Sequence, residues 1–148
     1  MPPHRYATTS LRERLRPGGT ARALRERGLA AVKVVRGGLP TSLIDRLIED
    51  AWLTMRDVDR LVVSRRTLSH RRQHRRALSP EESDRLARVV RVLLLAEETF
   101  GGAEKASAWL RRPNRSFGGD PPLELLDTGG GARAVELALG RLAHGVYV

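Results

Sequence analysis

Ser79, Pro80 and Glu82 form the strongest structural signal in the chain. A serine hydroxyl accepts a bond from the free amides that open a helix, and proline is pre-set for the first helical position. A glutamate three residues on reaches back to the serine amide. The pattern predicts a helix starting at residue 80. Its apolar positions, Leu86, Val89, Val90, Leu93, Leu94 and Phe100, recur at helical spacing, and Gly101 and Gly102 predict its end. Similar start signals recur from Pro40 onward. Thr41 is expected to cap a helix whose Leu43, Ile44, Leu47 and Ile48 form an apolar stripe. Thr54 with Asp57 opens another, with Met55, Val58 and Leu61 turned inward, and Ser64 caps a third carrying Thr67 and Leu68. Ala106, Trp109 and Leu110 share a face of a helix that Pro113 ends, and a Gly/Pro-rich loop covers 113–122. Thr128 caps a last helix bearing Val135, Ala138, Leu139 and Leu142, which Gly145 stops. No alternation of strand type lasts more than a few residues. The expected fold class is all-α.

Residues 1–38 read differently. Leu11, Leu15 and Leu24 recur among arginines, but Pro17, Gly18, Gly19, Gly28, Gly37 and Gly38 interrupt any long helix. A mobile start and one or two short helices are expected, in a segment that stays poorly defined. Residues 29–35 suit helix or strand equally.

Composition narrows the function. The 148 residues suit one domain or two small ones, and 41% hydrophobic content is enough for a core. There is no cysteine, hence no disulfide framework, thiolate metal site or cysteine nucleophile, which suits a reducing cytoplasm. The longest apolar run, 92–96, is far below the ~18–20 residues of a membrane span, and no apolar signal region follows Met1. Secreted, disulfide-rich and membrane-spanning classes are excluded.

Charge then divides the chain. The net +10 comes from 27 cationic residues, of which only Lys33 and Lys105 are lysines. Residues 1–78 carry +11 (18 basic against 7 acidic) and residues 79–148 carry −1 (9 against 10). A high-GC genome would favour arginine throughout, but would not leave the second half balanced. The first half is expected to meet a polyanion.

Residues 39–79 show how. Two short helices joined by a tight turn, the second one basic, make the pattern of a helix-turn-helix DNA reader. Residues 54–61 would be the supporting helix, Val62 and Val63 the turn, and 64–73 the recognition helix. Arg65, Arg66, Thr67 and His70 are placed for base edges, since arginine forks match guanine O6 and N7. Arg71, Arg72, Arg75 and Arg76 are assigned to phosphate. Val62 departs from the glycine often found in such turns, and a β-branched residue resists positive φ, so either the turn differs or base reading is weakened. The alternative is a solvated basic helix, in which six arginines within twelve residues would repel one another.

No catalytic constellation is present: GxSxG, a phosphate loop and HExxH are all absent. His70 and His74 could share a helix face, but with no carboxylate nearby and a cationic field around them they do not suggest a metal site. The chain reads as a non-enzyme that uses no cofactor.

In the second half, Trp109, Leu110, Pro113, Asn114, Phe117, Gly118, Gly119, Pro122, Leu123, Leu126, Thr128, Gly131, Val135, Leu139, Arg141, Gly145, Val146 and Tyr147 form an ordered series. It resembles the toxin-binding domain of Xre/MbcA/ParS-type bacterial antitoxins over residues 80–148. Arg65, Arg66, Thr67 and Leu68, together with residues 78–86, extend the resemblance to the Xre branch, over 39–148. Pro121 and His144 depart from the family pattern, which commonly has Thr or Ser and an acidic residue there.

The resemblance implies the antitoxin of a type II toxin–antitoxin system, paired with a RES-domain toxin that depletes NAD. Such an antitoxin would occlude the toxin's NAD pocket and repress its own operon. Trp109, Asn114, Arg141, His144, Gly145, Val146, Tyr147 and Val148 are the candidate toxin contacts. The apolar residues after Gly145 are poised for a cleft, and the Val148 carboxylate for cations that hold NAD phosphates, unless the tail docks on its own last helix. Trp109 is equally a core aromatic, and Asn114 with Gly118 and Gly119 equally loop-forming. Arg141 suits either the helix dipole or an acidic toxin surface. A homodimer on palindromic operator DNA is expected. The rival reading is a helix-turn-helix repressor with a C-terminal oligomerisation or effector domain and no toxin partner.

Overall fold

The computed structural model describes residues 5–16, 20–26 and 28–145. Among these residues there are nine α-helices and no strand. The order is α1 (Leu11–Arg14), α2 (Thr20–Arg25), α3 (Leu29–Gly37), α4 (Thr41–Glu49), α5 (Met55–Leu61), α6 (Arg65–Gln73), α7 (Pro80–Phe100), α8 (Ala103–Arg111) and α9 (Gly129–Ala143). Short 3-10 turns at Arg115–Phe117 and Pro122–Asp127 join α8 to α9.

The fold is organised around α7. Its start is the capping box read from the sequence: the Ser79 hydroxyl accepts from the Glu82 amide, and Glu82 accepts from the Ser79 amide. Leu86, Val89, Val90, Val92, Leu93, Leu94 and Ala96 are all buried and make a broad apolar face covering about half the girth of the helix, with Glu81, Asp84, Arg88, Arg91 and Glu98 along the other side. Helices α1, α2, α3, α5, α8 and α9 all pack on it. Gly101 closes it in the left-handed conformation, at φ +71°.

The other caps obey the same logic. Thr54 and Asp57 form a capping box on α5, Ser64 accepts from the Thr67 amide on α6, and Thr128 accepts from the Gly131 amide on α9. Gly131 is there for space. A Cβ on it would lie 1.9 Å from the Leu125 carbonyl oxygen, so only glycine lets α9 seat against the preceding 3-10 turn.

Thr41 departs from expectation. It is the first helical residue of α4 and Pro40 stands before it at the cap position, with no side-chain cap bond. The cause is a crossing just upstream. The Leu39 amide donates to Ser83 Oγ and the Leu78 amide donates to the Leu39 carbonyl, which draws Pro40 into extended backbone.

The N-terminal segment is packed onto the rest of the fold. The expected mobile start falls partly on residues 1–4, outside the described residues; two short helices follow as expected, and Ala7, Leu11, Leu15 and Leu24 are buried. Residues 29–35, undecided from the sequence, belong to a helix. Glu97, itself buried, accepts from the Leu11 and Arg12 amides at 3.1 and 3.0 Å and so caps α1 from across the fold. Trp52 Nε1 donates to the Thr9 carbonyl, and Arg91 Nε donates to the Leu24 carbonyl.

Candidate DNA and toxin interfaces

The supporting helix α5 ends at Leu61 and α6 begins at Arg65. The turn between them is apolar: Val62 and Val63 are buried. Val62 sits at φ −123°, so the turn needs no left-handed residue and tolerates a β-branched one. Its carbonyl accepts from Arg85 Nε of α7 at 2.7 Å. Asp59 Oδ1 accepts from the Arg65 amide at 2.9 Å, so the first turn of α6 is capped by both Ser64 and Asp59. Leu68 anchors the inner face of α6, fully buried.

The arginines of α6 divide into two sets. Arg71 Nε donates to Glu82 Oε1 at 3.1 Å, and Arg72 pairs with Asp45 of α4. Arg71 is thereby partly covered against α7, whereas the Arg72 pair stays at the surface. Arg65, Arg66, Arg75 and Arg76 are exposed and form no ion pair among the described residues. Burial alone would raise the Glu82 pKa, but the Ser79 amide and the Arg71 guanidinium outweigh it and hold the carboxyl below its ordinary value. Arg75 closes α6 at φ +52°, with the Arg76 amide donating to the Arg71 carbonyl and the Arg75 amide to that of Arg72. This is a Schellman ending with arginine where glycine is usual.

Three polar links tie this unit to the C-terminal helices. Arg111 of α8 bonds Asp57 Oδ2 at 2.8 Å and the Trp52 carbonyl at 3.2 Å. Arg60 of α5 donates to the Glu124 carbonyl and lies 3.9 Å from Asp127. Glu82 holds Arg71 from the start of α7. On the far side, α9 buries Ala132, Val135, Ala138 and Leu139 and leaves Arg133, Leu137 and Arg141 outward, with His144 at its end.

Similarity to known proteins divides along these two units. An antitoxin Xre-like helix-turn-helix domain matches residues 30–91, and an antitoxin Xre/MbcA/ParS C-terminal toxin-binding domain matches residues 95–145. Antitoxin Xre of Yersinia enterocolitica is 37% identical over 82% of this chain and 83% of its own length. Antitoxin Xre of Photorhabdus laumondii is 33% identical over 76% and 78%. A Sphingobium protein named Prs ADP-ribosylating antitoxin is 30% identical over 78% and 79%.

The chain belongs to the Xre antitoxin family.

It is therefore an antitoxin of a toxin–antitoxin system, all-α, with a helix-turn-helix domain followed by the antitoxin domain. The seam between the two domains falls within α7, whose first half lies in one match and whose end lies in the other.

The candidate residues of this antitoxin fall in distinct places. Thr67 is half-buried and its Oγ1 lies 2.9 Å from Ser64 Oγ, as part of the cap. His70 is exposed and stacks on His74 with ring centroids 4.2 Å apart, and His74 Nδ1 is 3.0 Å from the His70 carbonyl. Among the described residues no three His, Asp or Glu side chains gather as a metal site. Nor is any helix among them long and apolar enough to cross a membrane.

Trp109 is half-buried against Phe100, with centroids 5.4 Å apart. Asn114 builds the loop: its Oδ1 accepts from the Ser116 amide and its carbonyl accepts from Gly119. Arg141 and His144 are exposed at the end of α9, and Gly145 turns the chain at φ +76°. Val146, Tyr147 and Val148 lie outside the described residues.

Leu137 was missed by the sequence reading. It interrupts the polar side of α9, so its offset from Val135, Ala138 and Leu139 was the available signal.

Proposed function

We propose that the antitoxin neutralises a RES-domain toxin that depletes NAD, by placing residues 145–148 in the toxin's NAD pocket, and that it binds its own operator DNA through α6. In this reading it works in the cytoplasm as a homodimer, each copy presenting one α6 to a half-site, and catalyses nothing itself. The observation that carries the DNA half is the state of the α6 arginines: Arg71 and Arg72 are engaged by Glu82 and Asp45, while Arg65 and Arg66 stand exposed and without an ion pair among the described residues at its first turn. That turn is the part of a recognition helix that usually meets base edges.

The toxin half rests on the toxin-binding family match and on the apolar Val146, Tyr147 and Val148 that come after α9. The Sphingobium relative's name supports a toxin that uses NAD, because ADP-ribosyl transfer draws its ADP-ribose from that molecule. It also favours a second reading of the toxin's chemistry, in which ADP-ribose passes to a protein rather than to water. Co-expression with the protein of the adjacent reading frame tests both. Recovery of a stable complex and arrest of NAD loss support the reading, and labelled ADP-ribose on protein rather than free in solution marks the second. A neighbour that neither binds the antitoxin nor consumes NAD removes the toxin half.

A further inference from the structure

We infer that the N-terminal segment, residues 5–16, is a clamp between the two domains, which fixes the direction of α6 relative to the antitoxin domain. The segment lies outside both family matches, which cover 30–91 and 95–145. It nevertheless supplies the partners of buried polar groups on both sides of the seam. On the helix-turn-helix side, Trp52 is buried and its Nε1 donates to the Thr9 carbonyl at 3.1 Å. Asp50 Oδ2 is shielded from solvent and accepts no hydrogen bond; among the described residues its charge is answered by Arg14 Nε, 3.1 Å away. On the antitoxin side, Glu97 is buried with no ion pair among the described residues, and its two oxygens accept from the Leu11 and Arg12 amides. The buried Ser107 hydroxyl accepts from the Ala7 amide at 3.2 Å.

A carboxylate or an indole N–H taken out of water is costly unless it has a partner. If the segment let go, each domain would lose the partners of its own buried groups, so both domains hold it. Ala7, Leu11 and Leu15 add apolar contact, but apolar contact is non-directional and tolerates sliding. The polar anchors are directional, and along the segment they alternate between the two sides. Ala7 reaches α8, Thr9 reaches Trp52 just past α4, Leu11 and Arg12 reach the end of α7, and Arg14 returns to the end of α4. Helix α1 has four residues, and isolated helices shorter than about 12 residues are marginal in water. Its single turn is therefore made by the two domains it joins. The clamp adds to the proposed function a fixed geometry: a chain seated on DNA through α6 presents the end of α9 in one direction.

The chain has no cysteine, so a pair of added cysteines can carry spin labels without background. Ser69→Cys on α6 and Lys105→Cys on α8, both at exposed positions, report the distance between the domains in the full-length protein. One narrow distance is expected. Asp50→Asn with Glu97→Gln removes both charges and keeps the shapes. This pair is expected to broaden the distance distribution and to speed hydrogen exchange at the Leu11 and Arg12 amides at least about tenfold. Operator affinity is expected to stay within about twofold of wild type, because neither residue touches α6. Trp52→Phe with Ser107→Ala breaks the other two anchors and gives the same reading if the first pair folds poorly. A distribution that stays narrow in both pairs, whether or not exchange speeds up, overturns the clamp and leaves the seam to α7 and the Arg111–Asp57 pair. A broad distribution in the wild-type background also overturns it. Loss of operator affinity at an unchanged distance assigns the segment to the DNA-binding domain and overturns it too. None of these readings uses the toxin, so each leaves the proposed function standing, and a neighbour that does not bind the antitoxin leaves the clamp standing.

Discussion

Glu82 joins three parts of the antitoxin, and removing its charge tests how α6 is held. The carboxylate accepts from the Ser79 amide at 2.8 Å and from Arg71 Nε at 3.1 Å, with the Glu82 side chain 9% exposed and that of Arg71 24% exposed. Glu82→Gln keeps the shape and retains a capping-box acceptor, so the main loss is one charge-assisted bond between largely covered groups. Hydrogen bonds to charged groups contribute about 1.5–3 kcal/mol, and a fully buried pair broken on one side costs about 3–5. The partial exposure of Arg71 lets water recover some of the loss, which puts the expected cost at about 2 kcal/mol. For a chain of this length that is a fall of about 4–8 °C in melting temperature.

A thermal or urea unfolding series on wild type, Arg71→Ala, Glu82→Gln and the double variant isolates the pair. The expected coupling is about 1–2 kcal/mol. The pH dependence comes from the sign of the shift. The Glu82 carboxyl titrates below its ordinary value in the folded protein, so its contribution is complete above the unfolded value of about 4.3. It is lost as pH falls through the lower folded value. Wild type should therefore lose more stability than Glu82→Gln on acidification below about pH 4.3, and the two should run parallel from pH 6 to 8. A coupling energy near zero, or Arg71→Ala that weakens operator binding with no loss of stability, refutes the structural role assigned to this arginine.

Two further outcomes test the surface and the backbone. Replacing Arg65 and Arg66 with alanine should cost about 1–3 kcal/mol for each bidentate base contact and erode operator preference, whereas Arg75→Ala and Arg76→Ala should weaken binding to operator and random DNA alike and lower the salt slope by about one each. Competition binding at several salt concentrations separates the two. Ala51 closes α4 at φ +61°, with the Trp52 amide donating to the Leu47 carbonyl, so Ala51→Gly should relieve left-handed strain and raise stability by up to about 1 kcal/mol in an unfolding experiment.

How much of the fold could be read from the chain beforehand depended on whether the partner was close in sequence. The caps at Thr54, Ser64, Ser79 and Thr128 and the left-handed Gly101 all use partners within four or five residues, and each was legible. The packing of the N-terminal helices was not. Ser10 caps α1 locally by accepting from the Glu13 amide, but the Leu11 and Arg12 amides go to Glu97, 86 residues beyond Leu11, and no local pattern announces that contact. The ion pairs of Arg71 and Arg72 were not legible for the same reason: only the packed fold brings Glu82 and Asp45 to them. Thr41 read as a cap because threonine suits that position, while the Leu39 crossing with Leu78 and Ser83 moved the helix start by one residue. Leu137 was legible in principle, as an apolar residue out of phase with its own helix.

The central claim is that one chain stops an NAD-consuming toxin with the segment after α9 while holding DNA with α6. Its most direct test is NAD turnover by the purified protein of the adjacent reading frame, titrated with the full-length antitoxin and with a variant lacking residues 145–148. The account predicts that the full chain halts NAD loss at a fixed molar ratio, and that the shortened chain does not while it still binds operator DNA. Equal inhibition by both chains, or NAD loss undiminished by an excess of the full chain, would contradict it.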